Sequence, residues 1–522
     1  MSKTVRVRIS NLDFEAEIDD LEVPEPDPEP EPDPEPEPEP EPDTFVDYQE
    51  IDIPYETNTT IIQQFPDLQK IINKPNQEKS LYGLFAWPNY FDPQGTQSYF
   101  LDDVLALGIK SIRMGGFFEA GAATSLTDGT MAGLANAGIE ILAIAMPYNQ
   151  FRDQYASDEA FIAAYLQYLD YTIGKYGPVD LLGVRGSFWN EHSSVTYNPV
   201  VYWEIWNEPN DWYLFRSAAL GNSTTKTEKA RIYANLLFAA SNHIRARWGD
   251  KVKIVGLSAT GGARTDLWAP GTDGNKGFIQ MVHENLLALG SEAIANAYDI
   301  MSNHPYVEGA APDSEFIMIP GNEAWNYSIT NSFDLYGQIL DSFGIGNKPI
   351  WFTEIGWHRD TGVFPANTRT YPMSERIQAA YIVRLYLTAL RLGVERVYPM
   401  FIADADSFNG GFFAGGTPHE IYECATATKN LISMLPNPKI LSAISDGVDG
   451  YYAYRIKADG NNTASKEVVV LWNVAGSIEK TIELPAGVYT VTDFLGGSKK
   501  ITQTASQLII EIGPCPIFIK VA

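Results

Sequence analysis

The chain has 522 residues, 45% of them hydrophobic, and a formal net charge of −29. This length is too great for one ordinary core, so we expect one large domain and at least one small one. The negative charge argues against nucleic acid and anionic membrane surfaces as partners, because neither gains from counterion release against an acidic protein.

The first 43 residues differ in composition from the rest. Residues 1–23 alternate apolar and polar positions, which predicts a short strand or hairpin, with a disordered tail as the alternative. Residues 24–43 alternate ten prolines with ten acidic residues, a repeat that favours extended polyproline II and forms a semi-rigid spacer. A spacer separates two things, so we hypothesise that the N-terminal segment docks the chain to a partner or particle.

The N-terminus has no continuous apolar stretch of the kind that marks a signal peptide. The sequence also has no run of about 18 apolar residues, which a membrane span needs. We therefore expect no membrane insertion. Localisation stays open between a cytoplasmic site and an extracellular or particle-associated site reached by a non-standard route.

Residues 44–79 lead into a regular alternation of strand-like and helix-like patterns. The strand-like runs are 81–87, 109–117, 139–147, 200–208, 252–258, 298–306, 348–357 and 395–402. The helix-like patterns are 98–107, 127–137, 158–176, 227–248, 277–297, 332–343, 374–392 and 419–435. Eight strand–helix units predict an α/β fold, a (β/α)8 TIM barrel over residues 80–435, with functional residues at the C-terminal ends of its strands.

The pattern changes after residue 435. Short alternating or β-branched runs separated by Gly, Asn and Pro occupy residues 436–522 and predict a small antiparallel β-sandwich. We favour a structural cap packed on the barrel, with a carbohydrate-binding domain as the alternative.

Two strand ends of the predicted barrel carry a carboxyl group. The fourth strand leads into Asn207 and Glu208, which stand before Pro209, and the seventh leads into Glu354. Glycosidic bond cleavage needs two such groups, because one donates a proton while the other attacks the sugar or activates water.

The two motifs, Trp-Asn-Glu-Pro at 206–209 and Phe-Thr-Glu-Ile-Gly-Trp at 352–357, resemble those of clan A of the glycoside hydrolases. This resemblance implies that Glu208 is the acid/base, that Glu354 is the nucleophile and that Asn207 bonds the 2-hydroxyl of the substrate. It also implies that Arg113, at the end of the second strand, holds the nucleophile ionised. His304 and Tyr306, at the end of the sixth strand, become candidates for orienting Glu354.

The stretch 183–192, together with residues 202–205, looks most like the branch of β-xylosidases, α-L-iduronidases and bacterial exopolysaccharide endoglycosidases. The eighth strand departs from the clan pattern, because it lacks the tryptophan that often forms the floor of the cleavage subsite. We expect Phe401 or Trp357 to replace it. Further candidates for an apolar wall or sugar platform are Trp87, Trp203, Trp206, Trp212, Tyr213, Phe117 and Phe118.

These observations predict a retaining glycoside hydrolase with a carbohydrate as its substrate. A transglycosidase using the same residues, and a tethered glycan-binding or adhesion module without hydrolytic activity, are the alternatives. Glu119, Asp404 and Asp406 are the alternative carboxylates. Six histidines without ligand spacing predict no metal and no cofactor. Cys424 and Cys515 are expected to be free thiols, with a single bridge as the alternative.

Overall fold

The computed structural model describes residues 3–9, 12–18, 59–61, 68, 80–92, 99–117, 126–147, 150–216, 218–260, 276–307, 310–317, 326–359, 373–404, 409–415 and 419–521. The chain divides into two compact units, Met1–Thr44 and Phe45–Ala522. The predicted spacer at 24–43 and most of the predicted lead-in at 44–79 lie outside the described residues.

The N-terminal unit contains an antiparallel hairpin. Strand β1 (Lys3–Ile9) pairs with strand β2 (Leu12–Ile18), with Lys3 opposite Ile18 and Ile9 opposite Leu12. The alternating pattern of residues 1–23 thus forms two short strands.

The second unit is built on an eight-stranded parallel sheet. Its strands are β4 (Gly83–Ala86), β5 (Ser111–Met114), β6 (Glu140–Ala145), β7 (Tyr202–Ile205), β8 (Lys253–Thr260), β9 (Ile300–His304), β12 (Ile350–Ile355) and β13 (Arg396–Pro399). They neighbour one another in chain order. A parallel bridge between Tyr82 and Val397 closes the barrel, with Val397 N donating to Leu81 O at 3.0 Å. The predicted TIM barrel is confirmed.

Helices cover this sheet on the outside. They are α1 (Leu101–Leu107), α2 (Asp128–Asn136), α3 (Asp158–Tyr176), α4 (Ser187–Glu191), α5 (Ala218–Ser223), α6 (Lys226–Trp248), α7 (Phe278–Leu289), α8 (Ser291–Asn296), α9 (Ile329–Ser342), α10 (Glu375–Leu392) and α11 (Glu423–Met434). A Ser or Thr side chain caps the N-terminus of five of them by accepting a backbone N–H, at Thr127, Ser157, Thr225, Ser328 and Ser374. Because helices bury the outer face and side chains fill the interior, the strands read as nearly continuous apolar runs.

Antiparallel strands follow the barrel. They are β14 (Lys439–Val448), β15 (Tyr451–Lys457), β16 (Glu467–Asn473), β17 (Ile478–Glu483), β18 (Gly487–Asp493), β19 (Ser498–Gln503), β20 (Gln507–Ile512) and β21 (Ile517–Val521). Six form one sheet in the order β14-β15-β16-β21-β18-β19, and β17 pairs with β20. This is the predicted C-terminal β-sandwich. A third, small sheet joins β3 (Thr59–Ile61), β10 (Ser314–Ile317) and β11 (Asn326–Tyr327).

A buried ion pair of the barrel anchors the sandwich through hydrogen bonds. Arg384 of α10 bonds Asp313, which lies in the loop after β9, and Asp313 also accepts from the indole Nε1 of Trp472 in β16. Tyr452 Oη of β15 donates to the backbone carbonyl of Asp313 at 3.0 Å. The sandwich therefore holds the segment that follows the sixth barrel strand.

Cys424 and Cys515 are both buried, and no disulfide joins these two thiols. Among the described residues, no helix is long and apolar enough to cross a membrane.

Candidate active site

Four barrel strands bring six predicted site residues together at one end of the barrel. Arg113 lies in β5, Asn207 and Glu208 follow β7, His304 ends β9 with Tyr306 two residues beyond it, and Glu354 lies in β12. Hydrogen bonds and ion pairs connect all six. This is the C-terminal end of the strands, where TIM barrels place their active sites.

A strained turn carries Glu208. Strand β7 ends at Ile205, three residues earlier than the sequence pattern indicates, and Trp206 and Glu208 then adopt left-handed φ values of 71° and 44°. Such conformations cost on the order of 1–3 kcal/mol each in a residue other than glycine, so the surroundings must hold them. Glu208 N donates to Ser258 O at 3.0 Å, and Trp206 N donates to Ala145 O at 3.3 Å.

A bulge in β8 provides that support. Leu257 and Ser258 also have positive φ values, 85° and 45°, and the register with β9 shifts between Gly256 and Ala259. The hydroxyl of Tyr233 accepts from Leu257 N at 2.9 Å and donates to Ile205 O at 2.8 Å. One tyrosine thus ties the bulge to the end of β7 and fixes the turn that presents Glu208.

Arg113 is the centre of the polar network. It is fully buried, and its Nε lies 2.7 Å from Glu204 Oε2, its Nη1 2.7 Å from Glu354 Oε2 and its Nη2 2.6 Å from Asn207 Oδ1. Burial alone would lower the pKa of Arg113, but the charges of Glu204 and Glu354 leave that pKa above its ordinary value. The arginine therefore remains a cation that fixes both the nucleophile candidate and the amide beside the acid candidate.

Glu204 was not predicted as a site residue. It is a fully buried acid in β7 whose Oε2 accepts from Arg113 Nε at 2.7 Å. An acidic residue within an otherwise apolar buried strand needs a cationic partner, because a bare buried carboxylate is costly. That requirement was a readable signal in the sequence.

Glu208 is in the environment that a general acid needs. It is 9% exposed, and burial, reinforced by the charge of Asp211, raises its pKa to about 8. Arg113 acts in the opposite direction but does not outweigh the burial. Glu208 is therefore protonated at neutral pH.

His304 contacts Glu208, which corrects the expectation that it orients Glu354. Its Nδ1 lies 2.9 Å from Glu208 Oε1 and 3.9 Å from Glu354 Oε2. Burial lowers the pKa of His304 to about 4, so the ring is neutral near pH 7. Its Nε2 faces Arg113 Nη2 at 3.4 Å, and a guanidinium only donates, so Nε2 accepts and the proton lies on Nδ1. His304 thus donates to Glu208 Oε1. The other oxygen of Glu208, Oε2, is left to carry the proton that the acid gives to a ligand.

Tyr306 is the residue that orients Glu354. Its hydroxyl donates to Glu354 Oε1 at 2.7 Å, while Arg113 occupies Oε2. Burial, followed by the charge of Glu354, raises the pKa of Tyr306 well above its ordinary value, so it stays a donor. Both oxygens of Glu354 therefore accept a hydrogen bond, one from Tyr306 and one from Arg113.

One carboxyl oxygen of Glu208 and one of Glu354 lie within 4.8 Å of each other. Retaining glycosidases hold their two carboxyl groups about 5–5.5 Å apart, whereas inverting enzymes leave about 6.5–9.5 Å for a water molecule. This bound on one pair of oxygens places the two carboxyl groups close together at the same mouth of the barrel.

Glu208, His304 and Glu354 each place one potential ligand atom within this distance of the other two, so the cluster has the shape of a cation site. Arg113 already supplies a positive charge there, with Nη1 on Glu354 and Nη2 beside His304. The donor set fits a guanidinium paired with carboxylates better than a metal ion.

The three aromatic candidates occupy different environments. Trp206 is fully buried against Phe161 and Tyr165, and its Nε1 donates to a backbone carbonyl, so it belongs to the core. Trp357 is 1% exposed, and its Nε1 donates to Ala310 O. Both are therefore wrong as substrate platforms, since apolar packing covers their faces. Phe401 is 8% exposed and lies at the barrel mouth.

The alternative carboxylates do not compete with this pair. Asp404 forms a two-oxygen ion pair with Arg359 and accepts from Gly411 N, so it stabilises the loop after β13. Glu119 and Asp406 lie outside the described residues.

No protein-family model and no curated protein matches the sequence. Solved structures do match the fold. A family 39 glycoside hydrolase from Bacteroides cellulosilyticus has a TM-score of 0.58 and 17% identity, over 84% of this chain and 80% of that one. A family 51 α-L-arabinofuranosidase from Bifidobacterium longum has a TM-score of 0.52 and 13% identity, over 86% and 97%. A bifunctional glucanase-xylanase from a metagenome library has a TM-score of 0.53 and 12% identity, over 86% and 97%. The chain is similar to these proteins in fold, and families 39 and 51 belong to clan A.

Proposed function

We propose that this chain is a retaining glycoside hydrolase that cleaves O-glycosidic bonds of a polysaccharide or oligosaccharide by double displacement. The observation that carries the proposal is the pairing of Glu208 with Glu354. One carboxyl oxygen of Glu208 lies within 4.8 Å of one carboxyl oxygen of Glu354. The two groups have opposite surroundings. Burial keeps Glu208 protonated through a raised pKa, while Arg113 and Tyr306 donate to Glu354.

In the first step a Glu354 oxygen attacks the anomeric carbon. The bond from that carbon to the leaving oxygen breaks, and the proton of Glu208 passes to the leaving oxygen, which departs as a hydroxyl. Asn207 is held by Arg113 beside Glu208, where its amide can bond a sugar hydroxyl.

In the second step Glu208, now a carboxylate, takes a proton from water. The resulting hydroxide attacks the anomeric carbon and releases Glu354 with the starting configuration restored. Esterification of Glu354 removes a nearby negative charge in the first step, which lowers the proton affinity of Glu208 and suits its change from acid to base.

Within the clan, we propose the branch of β-xylosidases, α-L-iduronidases and exopolysaccharide endoglycosidases. The motif at 183–192 and the strand at 202–205 support this branch, and the fold likeness to a family 39 glycoside hydrolase is consistent with it.

The test is release of reducing ends from a panel of polysaccharides by wild type and by Glu354→Ala. We expect wild type to cleave at least one substrate and the variant to lose activity, and we expect external azide to restore bond cleavage with inverted product. A fully active Glu354→Ala would overturn the assignment of the nucleophile. Azide rescue with inverted product in variants of Glu208 alone would overturn it as well.

The same panel separates the alternatives. Equal, zero release by both proteins with retained glycan binding would favour a non-hydrolytic binding module. Longer oligosaccharides among the products would favour a transglycosidase, in which a sugar hydroxyl replaces water in the second step.

A further inference from the structure

The mouth of the barrel has an apolar side whose residues, apart from Tyr306, the proposed mechanism does not use. We call it the apolar wall, and it consists of Phe85, Trp87, Ile144, Met146, Tyr306, Met400 and Phe401. These residues lie in β4 and β6 or just after β4, β6, β9 and β13. The wall is a cluster separate from the main core.

The wall is continuous with the catalytic network. The guanidinium carbon of Arg113 lies 5.0 Å from the centre of the Phe85 ring, and Phe85 contacts both Trp87 and Phe401, with ring centres 5.3 and 5.0 Å apart. Tyr306 belongs to the wall and bonds Glu354. A ligand at Glu354 therefore meets carboxyl and amide groups on one side and aromatic and thioether groups on the other.

Trp87 is a partly exposed aromatic residue of the wall. Phe401 is 8% exposed and tilts against Phe85, and Tyr306, the other partly exposed aromatic, donates its hydroxyl proton to Glu354. The indole lies over Gly115, where an added Cβ would stand 3.0 Å from its ring. Gly115 is two residues beyond Arg113, so the indole is seated directly beside the network.

The charges around this position are acidic. Glu204, Glu354 and Asp211 lie in or beside the catalytic network, and Arg113, its cation, already bonds Glu204, Glu354 and Asn207. An anionic sugar ring at Glu354 would meet like charges on the polar side and groups without hydrogen-bond donors over most of the apolar wall. A neutral ring would meet hydroxyl partners on one side and a stacking surface on the other.

We propose that Trp87, at the end of the first barrel strand, replaces the missing eighth-strand tryptophan as the stacking platform for the ring bound at Glu354, and that this ring belongs to a neutral sugar. The inference rests on the proposed function and narrows its substrate. It replaces our expectation that Phe401 or Trp357 fills this role, and it makes Phe401 a support for the platform through Phe85.

The test compares wild type with Trp87→Ala, Trp87→Phe and Gly115→Ala on 4-nitrophenyl glycosides of neutral pentoses and hexoses and on matched 4-nitrophenyl glucuronides. We expect Trp87→Ala to lose about tenfold or more in kcat/KM on the neutral substrate, with Trp87→Phe recovering part of it. Gly115→Ala, which displaces the indole without removing it, should lose less. Tyr171→Ala, an exposed aromatic on α3, is the matched control and should equal wild type.

A binding measurement guards against variants that only fail to fold. Each Trp87 substitution is combined with Glu354→Gln, and calorimetry with a neutral oligosaccharide that wild type cleaves should give weaker affinity with an unchanged far-UV spectrum. Equal affinity and equal kcat/KM in folded Trp87→Ala would overturn the platform while the proposed function stood. Preference for glucuronides over neutral glycosides would overturn the neutral-sugar assignment. Absence of both sugar binding and hydrolysis in wild type would overturn the function and the inference together.

Discussion

His304 Nδ1 lies 2.9 Å from Glu208 Oε1 and donates a hydrogen bond to it, which makes a neutral imidazole the positioning group of the proposed acid. The tautomer follows from Arg113, whose Nη2 can only donate to the other ring nitrogen. The same arginine bonds Glu354, so a single buried cation sets the tautomer of His304 on the acid side and holds the nucleophile candidate in place on the other.

The raised pKa of Glu208 predicts an alkaline limit of activity. The reaction needs this group protonated, so kcat/KM should fall about tenfold per pH unit above about pH 8. The charge of Asp211 contributes to raising the pKa of Glu208, so Asp211→Asn should move the limit to lower pH. Asp250→Asn, at a side chain 91% exposed, is the control and should leave it in place. An identical limit in Asp211→Asn would contradict the electrostatic assignment.

The same shift predicts a stability effect. The folded pKa of Glu208, about 8, is above the ordinary value of 4.5, so the folded state binds an extra proton between these pH values. The stabilising contribution of the Glu208 carboxyl to the free energy of unfolding is fully present below about pH 4.5 and is lost as pH rises through about 8. Glu208→Gln is neutral at every pH and still accepts from His304. It should melt at least about 2 °C above wild type at pH 9 and near wild type at pH 4, measured by calorimetry. A melting temperature of Glu208→Gln below that of wild type at pH 9 would contradict the conclusion that burial raises the pKa of Glu208.

Much of the fold was readable because strand and helix periods alternate eight times. Each predicted strand run contains most of an observed strand, since parallel strands buried on both faces give unbroken apolar runs. Counting strands placed Glu208 and Glu354 at the ends of strands four and seven, and the resemblance to clan A implied their roles as a pair. The same resemblance implied Arg113, His304 and Tyr306, and the strand ends of a barrel share one mouth.

The remaining features depend on tertiary contacts. An indole near a strand end looks the same in sequence whether it faces the core, as Trp206 and Trp357 do, or the mouth, as Trp87 does. The turn at Glu208 depends on a bulge in β8 and on Tyr233 of α6, which no local pattern connects. Glu208 and Glu354 are close neighbours, so the sequence does not show which of their two carboxyl groups His304 contacts.

The junction between barrel and sandwich predicts a large stability loss from a single change. Asp313 and Arg384 are both fully buried, and Asp313 also holds the indole of Trp472. Removing one partner of a buried pair leaves an uncompensated charge, so Asp313→Ala should cost about 3–5 kcal/mol in urea unfolding. Glu467→Ala breaks the half-exposed pair with Arg455 and should cost about 0–1 kcal/mol. Similar losses of unfolding free energy in the two variants would show that the buried Asp313–Arg384 pair does not stabilise the junction.

Removal of one hydroxyl tests the support of Glu354. Tyr306→Phe keeps the ring in the apolar wall but deletes the 2.7 Å hydrogen bond to Glu354 Oε1. A hydrogen bond to a charged group contributes about 1.5–3 kcal/mol, so kcat/KM should fall about 10- to 150-fold without loss of fold. Tyr168→Phe is the matched control, because Tyr168 Oη is buried and has no partner among the described residues. Pre-steady-state kinetics should place the loss in formation of the glycosyl-enzyme, where Glu354 attacks. Equal effects of the two substitutions would mean that the Tyr306 hydroxyl does not position the nucleophile.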